Sequence, residues 1–453
     1  MKKYIILAVI LSLQFSSLNC ANAQIKLTLA QCLDSASRYS LDLRNAALDI
    51  DAANLTIAEA RTKYYPQVSA RLLAFRAFDK MLTNDGIIPA EVAAVSPALA
   101  EYAGQPYTLR EFNSAYSANI SAMQPIYTGG QITTANRLAK LQRDVSQLKY
   151  RLLERQLQEK IIENYWQIVA VKNNLRTLDA ADRQVDSLYH QVELFLKAGV
   201  VTRNDLLRVQ LRRQELASQR LRLDNAHQVL LLLLAQQIGL ADKEIDIEEI
   251  PVDVSDYKVG NNSQCANRVE SLLASKAVEA AQLQLRMERS KNMPTVAAGL
   301  IGYNTGIGGL SSTARQFVKD NHTNMLMMAT VSIPISAWWG GSKAIKRRRL
   351  ELEQARINMQ ETQEKVDIDN RTAWLNVEQA RKQIDVMHTS VEQASENLRI
   401  STQRYQAGTE TITELLDAET LHRQAQSSLA NAIADYHAKL NIYLLKTKDT
   451  NTQ

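Results

Sequence analysis

The sequence predicts a mainly α-helical fold with a membrane β-barrel portion, assembled as a tandem internal repeat. Three observations predict it. Ala198-Gly199, Thr202, Asp205, Leu206 and Leu207 stand 209 positions before Ala407-Gly408, Thr411, Glu414, Leu415 and Leu416, so one turn is built twice. Two stretches, 131–197 and 342–406, contain neither glycine nor proline and carry apolar residues at helical spacing. Four shorter segments alternate apolar with small or polar side chains, the period of a strand.

Composition agrees. The 453 residues include only 15 Gly and 8 Pro, with 22% charged and 6% aromatic residues, which suits long helices on thin cores better than a thick enzyme core. The net charge of +5 is mild and no basic stretch is interleaved with aromatics, which excludes nucleic acid as a partner. Lys346-Arg347-Arg348-Arg349 reads as a solvated helix face. The six histidines lack ligand spacing, and there is no nucleophile–base pair or phosphate loop. The sequence therefore predicts no catalytic residue, no metal and no cofactor.

The elements follow in order. Lys2 and Lys3 precede an apolar run from Tyr4 to Leu13, and the segment 21–24 supplies an A-x-A site, giving a signal peptide over 1–23. Cys20 raises a lipoprotein alternative, weakened by Asn19 where a small residue is needed. Cys32 and Cys265 remain, which is no disulfide framework and leaves either one bridge or two inert thiols.

The first repeat spans 24–240. It comprises a helix over 28–63, strands 66–76 and 113–126 flanking a Gly/Pro-rich loop, a turn at 128–130, the long helix 131–197, a tip turn at 198–203 and a helix over 204–238. Residues 241–264 form an acidic, irregular equatorial connector. The second repeat, 265–447, restates the plan with a helix over 265–292, strands 294–304 and 323–336, a 338–341 segment mirroring the earlier turn, the long helix 342–406, a tip turn at 407–411 and a helix over 412–445. A polar tail, 448–453, follows. Pro125 and Pro334 hold matching places 209 positions apart. Trp338 and Trp339 suit either a membrane-interface belt or simple packing, and Trp166 and Trp374 read as packing residues. The longest apolar run of the mature chain, Val229–Ala235, is too short for a membrane helix.

The strands carry the membrane argument. One face is moderately apolar: Val68, Ala70 and Leu72; Val296, Ala298 and Leu300; Met327, Ala329, Val331 and Ile333. That pattern fits a lipid-facing band opposite a wet lumen. Four strands cannot close a barrel, and open edges are not tolerated in lipid. Several chains must share one barrel: two copies give a filled eight-stranded interior, and three give twelve strands with a pore. Signal peptide and barrel together point to an outer membrane, with the long helices extending into the periplasm.

At this point the chain resembles the TolC family of outer-membrane efflux and secretion channels. The segment "YQAGTETITELLDA" (405–418) is similar to that family's second periplasmic tip, and "KAGVVTRNDLL" (197–207) to its first. The resemblance implies a homotrimer with a twelve-stranded barrel and a helical tunnel. It also implies docking to a periplasmic adaptor and an inner-membrane transporter of RND or ABC type, as the exit duct of a tripartite pump or type I secretion system. It places Glu414 and Asp417 at an acidic aperture ring, Tyr405 at a gate-tyrosine position and Asp205 as that tyrosine's hydrogen-bond partner. Gly199, Thr202, Gly408 and Thr411 fall at tip positions that dock the adaptor. Glu410 departs from the family, standing where relatives carry a locking arginine. Lys197 or Arg203 would have to substitute, or packing alone would hold the tip.

Each tip also has a bland reading. The glycines permit helix reversal, and Thr202-x-x-Asp205 and Thr411-x-x-Glu414 fit capping boxes. Asp417 is less well explained, because Glu414 and Asp417 share a helix face at i,i+3, with Glu410 joining at i,i+4. Two other classes compete at the level of the whole chain. A periplasmic adaptor would have one helical hairpin flanked by other domains. A coiled-coil scaffold would need neither signal peptide nor strands.

Overall fold

The computed structural model describes residues 25–78, 84–87, 106–109, 114–248, 268–308 and 321–448. The predicted signal peptide and Cys20, residues 249–267 with Cys265, and the tail from 449 lie outside the described residues. The chain divides into two compact units, one of Met1–Ala52, Arg143–Val278 and Ala355–Gln453, the other of Ala53–Gln142 and Glu279–Gln354.

The second unit holds the sheet. Strands β2 (Gln67–Arg76), β5 (Ser114–Tyr127), β7 (Thr295–Gly308) and β8 (Asn321–Ser332) form one antiparallel sheet in the order β2-β5-β7-β8. Each repeat thus contributes a hairpin, and β5–β7 pairing joins them. Directly opposed residues share a face, so the register can be read across the sheet. Ala70 faces Ile120 and Ile120 faces Gly302, while Leu300 faces Met327 and Val296 faces Val331. That face is apolar throughout its middle. On the other face Ser69 opposes Ser121, their hydroxyls 2.9 Å apart, and Arg71, Asn119, Tyr303 and Asn324 form one row. Among the described residues no helix covers the apolar face: Val68, Leu72, Met327 and Val331 are 71%, 74%, 82% and 62% exposed. Among the described residues, β2 and β8 have no neighbour on their outer edges.

The sequence reading of 77–112 as a loop needs correction, because β3 (Asn84–Ile87) and β4 (Pro106–Leu109) form a short antiparallel ladder there. The two glycine pairs also differ. Gly129 and Gly130 take φ of 61° and 86°, turning the chain into α3 (Gln131–Lys197). The expected matching turn at 338–341 is not made: α6 (Ala337–Gln406) runs through Gly340 and Gly341. Gly341 instead lets the helix approach Asn292, whose side chain lies 2.4 Å from where a Cβ would sit. Pro125 sits inside β5 at a register shift, since it donates no hydrogen bond, whereas Pro334 falls beyond the end of β8.

The first unit is helical. The single helix expected over 28–63 is two, α1 (Leu29–Tyr39) and α2 (Leu41–Thr62), the latter continuing into the other unit. Ser40 breaks them. Its extended backbone (φ −62°, ψ 127°) donates to the Ala36 carbonyl and accepts from the Arg44 N–H at 3.1 Å, so both ends stay satisfied. The connector, expected to be irregular, contains β6 (Ile245–Ile247), which pairs in parallel with β1 (Ile25–Leu27). Both are three residues, too short for a periodic signal, yet Ile247 is buried beside Ile161, Tyr165, Ile168 and Leu234.

Cys32 is a free thiol in this core, and burial pushes its pKa up to about 12. Arg268, just before α5 (Val269–Ser290), bonds Asp369 and Asn370 of α6 at 2.7 Å each. Lys446 of α7 (Ile412–Lys448) reaches the same Asp369 at 3.0 Å, and Arg155 of α3 pairs with Glu270. Four helices are thereby tied by buried charge.

Candidate functional site

Each long helix ends in the same short construction. After α3, Gly199 adopts φ +76°, its N–H donating to the Leu196 carbonyl (3.0 Å) and that of Val200 to Phe195 (2.9 Å). After α6, Gly408 adopts φ +72°, with Gly408 N–H on Tyr405 (3.0 Å) and Thr409 N–H on Arg404 (2.9 Å). Both are Schellman motifs, which need a left-handed residue at the glycine. Space is not the reason, because a Cβ at either position would meet nothing within 4 Å.

The returning helices are capped alike. Thr202 precedes α4 (Arg203–Gln237), and the Asp205 carboxylate accepts from the Thr202 N–H (2.9 Å) and hydroxyl (2.7 Å). Thr411 precedes α7, and Glu414 accepts from the Thr411 N–H (2.8 Å) and hydroxyl (2.9 Å). These bonds hold the Glu414 carboxyl below its usual range, the backbone N–H contributing most. Glu414 is thus engaged by its own cap, while Asp417, also exposed, carries a carboxylate with no hydrogen-bond or ion-pair partner among the described residues.

Two expectations are not met within the chain. Tyr405 and Asp205 do not bond: Asp205 is occupied by Thr202, and the Tyr405 hydroxyl is buried with no partner among the described residues. Desolvation, then the nearby Asp205 charge, raises the Tyr405 pKa. Tyr405 packs instead with Val192, Val209, Ile412 and Leu415. Glu410 does not join a helical acid face, because α7 starts at Ile412. It turns back to α6, where the Ser401 hydroxyl donates to it at 2.6 Å. Lys197 pairs with Glu193 on its own helix rather than with Glu410.

Sequence reasoning missed the polar link beneath the tips. Arg212 of α4 donates through Nη2 (2.7 Å) and Nε (3.0 Å) to one oxygen of Glu419 on α7, both side chains being almost wholly buried. The available signal was a charge of each sign set in an apolar stripe, Val209-Arg212-Leu216 on one helix and Leu415-Ala418-Glu419 on the other. No metal-binding cluster occurs among the described residues, and no described helix is long and apolar enough to cross a membrane.

Comparison with known proteins places this geometry. The sequence matches the family described as "Outer membrane efflux protein" over residues 32–236 and 263–442, well over half its length. A search of curated proteins gave no match. Among solved structures, the fold is similar to the CmeC outer membrane channel of Campylobacter jejuni (TM-score 0.76, 14% identity, covering 93% of this chain and 85% of that one). It is also similar to the outer membrane protein VceC of Vibrio cholerae (0.72, 16%, 92% and 94%) and to the MtrE outer membrane channel of Neisseria gonorrhoeae (0.68, 16%, 91% and 88%). The uncovered apolar sheet face accords with a cell outer-membrane location with a periplasmic helical extension, and the family match with an efflux channel role. This chain belongs to the TolC-type outer membrane efflux protein family.

Proposed function

We propose that the chain works as a homotrimer, three four-stranded sheets closing one twelve-stranded barrel. It would serve as the passive exit duct for a periplasmic adaptor and an inner-membrane transporter of RND or ABC type. The observation that carries this reading is the sheet: among the described residues, an apolar face with no helix over it and two unpaired edges on β2 and β8. The apolar face suits contact with lipid, whereas the open edges are not tolerated there unless other copies supply the missing neighbours.

In this reading the tips are gate and docking surface. Asp417 and Glu414 ring the aperture and favour cations, Glu414 keeping its charge while it caps α7. Tyr405, Asp205 and Glu410 hold the closed state mainly through packing. The turns at Gly199–Thr202 and Gly408–Thr411 meet the adaptor. Fractionation tests the reading: a heat-modifiable trimer in the outer-membrane fraction supports it, and a water-soluble monomer overturns it.

A further inference from the structure

Where the sheet meets the helices, four helix ends come together in one unit. Asn136 Nδ2 donates to the Ala60 carbonyl (2.9 Å), joining the start of α3 to the end of α2. Gln131 Nε2 reaches Ser290 (3.4 Å), joining α3 to the end of α5, and Arg348 Nη1 reaches Gln284 (3.4 Å), joining the start of α6 to α5. This junction is heavily basic.

Part of the charge has an ordinary explanation. Arg61 and Arg289 lie in the last turns of α2 and α5, where cations suit the negative end of the helix dipole. The other two helices begin here, and a helix start favours acids. Neither has one in its first turn. Residues 129–142 hold two cations and no acid, and 337–350 hold five and no acid. Arg137, Lys140, Lys343, Lys346, Arg347 and Arg349 are all exposed. Of these six only Arg347 has an ion-pair partner among the described residues, Glu351 at 3.6 Å. These six cations lie past the first turns, beyond the reach of the dipole, and five of them have no ion-pair partner among the described residues to offset their mutual repulsion.

The neighbours of this collar indicate its ligand. Tyr64, Tyr65, Tyr127 and Trp339 are 44%, 65%, 50% and 80% exposed at the same junctions, between the collar and the uncovered apolar strand face. Amphipathic rings between an apolar band and a basic band are the arrangement of a membrane–water interface. We infer that the collar binds the anionic headgroups of glycerophospholipids in the periplasmic leaflet. This rests on the reading that β2, β5, β7 and β8 span the membrane. The lipid phosphates supply the countercharge that five of these six cations lack among the described residues, and fix the depth at which the sheet sits.

The test uses the full-length protein reconstituted in phosphatidylcholine vesicles with and without about 30% phosphatidylglycerol, an anionic lipid of the kind basic clusters recognise. Spin-labelled lipids then measure the association of each headgroup. Phosphatidylglycerol should be preferred roughly threefold or more, and the preference should fall towards one at high salt. The triple variant Lys343→Gln, Lys346→Gln, Arg349→Gln should insert normally and lose most of the preference. Insertion with equal association of both lipids overturns the inference while leaving the barrel reading intact, and failure to insert in either lipid overturns both. Abolition of the preference by inorganic phosphate at constant ionic strength identifies a free-phosphate site and overturns the lipid assignment.

Discussion

Arg212 and Glu419, 207 positions apart, form a buried ion pair that joins the second helices of the two tip hairpins. Both arginine contacts fall on one carboxylate oxygen, and the other oxygen is buried without a partner among the described residues. A buried pair of this kind contributes less than its geometry suggests, yet removing Arg212 strands the Glu419 carboxylate, whereas removing Glu419 leaves Arg212 its contact with Glu215 at 3.1 Å. Arg212→Ala should therefore destabilise the tip by about 3–5 kcal/mol and Glu419→Ala by less, whereas Arg212→Met with Glu419→Leu should recover most of the loss. Hydrogen exchange of the α4 and α7 amides in the single and double variants checks this. Additive losses would show that the two side chains are not coupled.

The acidic aperture separates into two unequal parts. Glu414→Ala removes the cap, whereas Glu414→Gln keeps an acceptor for it, so fraying of α7, seen as faster exchange at Thr411 and Leu415, should follow the alanine change alone. Asp417→Asn removes exposed charge alone. In reconstituted trimers under a salt gradient, Asp417→Asn and Glu414→Gln should each lower cation selectivity, and the double variant most. Unchanged reversal potentials in the double variant would remove the acid ring from the mechanism.

At the turns the constraint is backbone conformation. Alanine at Gly199 or Gly408 meets open space, so the left-handed φ sets its cost, about 1–2 kcal/mol. A β-branched residue should cost more. Gly408→Val should keep trimers intact while abolishing cross-linking to the adaptor, and normal cross-linking in that variant would exclude the turn as the docking element.

His437 gives the helical part an acid sensitivity. Its ring stacks on Trp166 with centroids 4.6 Å apart and planes 12° apart, and its Nε2 is buried with no partner among the described residues. Burial lowers its pKa below the ordinary histidine value of 6.5. A depressed histidine pKa means the unfolded chain takes up the proton first. Stability is therefore complete above the unfolded value and declines as pH falls through it towards the folded one. Thermal melts should drop between pH 7.5 and pH 5, and His437→Phe, which keeps the stacking, should reduce that drop.

How much of this could be read in advance varies with the length of the pattern. The long helices and four strands were legible because each carries many periods of its repeat, and the tip caps because Thr-x-x-acid is a local rule. Short elements were not. β1 and β6 are three residues each and exist only through each other. The Ser40 break carries no glycine or proline to announce it. Gly340-Gly341 looked like a turn because its partner Gly129-Gly130 is one, yet the same residue pair is helical where Asn292 presses against it. Tyr405 shows the limit at the site itself. Sequence similarity located it but could not reveal that Thr202 already holds the carboxylate expected to bind it.

The sheet offers a test of its two faces with neighbouring residues. Ile120 and Ser121 are adjacent in β5, so their side chains point to opposite faces. Ile120 lies in the apolar row with Ala70 and Gly302 and is 62% exposed, whereas Ser121 opposes Ser69 on the polar face. If the apolar face meets lipid, Ile120→Lys places a charge in hydrocarbon at about 2–4 kcal/mol near the midplane, while Ser121→Lys places one in a wet lumen at little cost. Both changes install the same side chain and charge, and the β-branched strand former lost only at Ile120 accounts for at most about 1 kcal/mol of any difference. Ile120→Lys should sharply reduce the heat-modifiable trimer recovered from outer membranes. Ser121→Lys should assemble normally and shift conductance or selectivity instead. Equal recovery of both variants would mean that the two faces meet the same solvent, which a membrane-spanning barrel cannot allow.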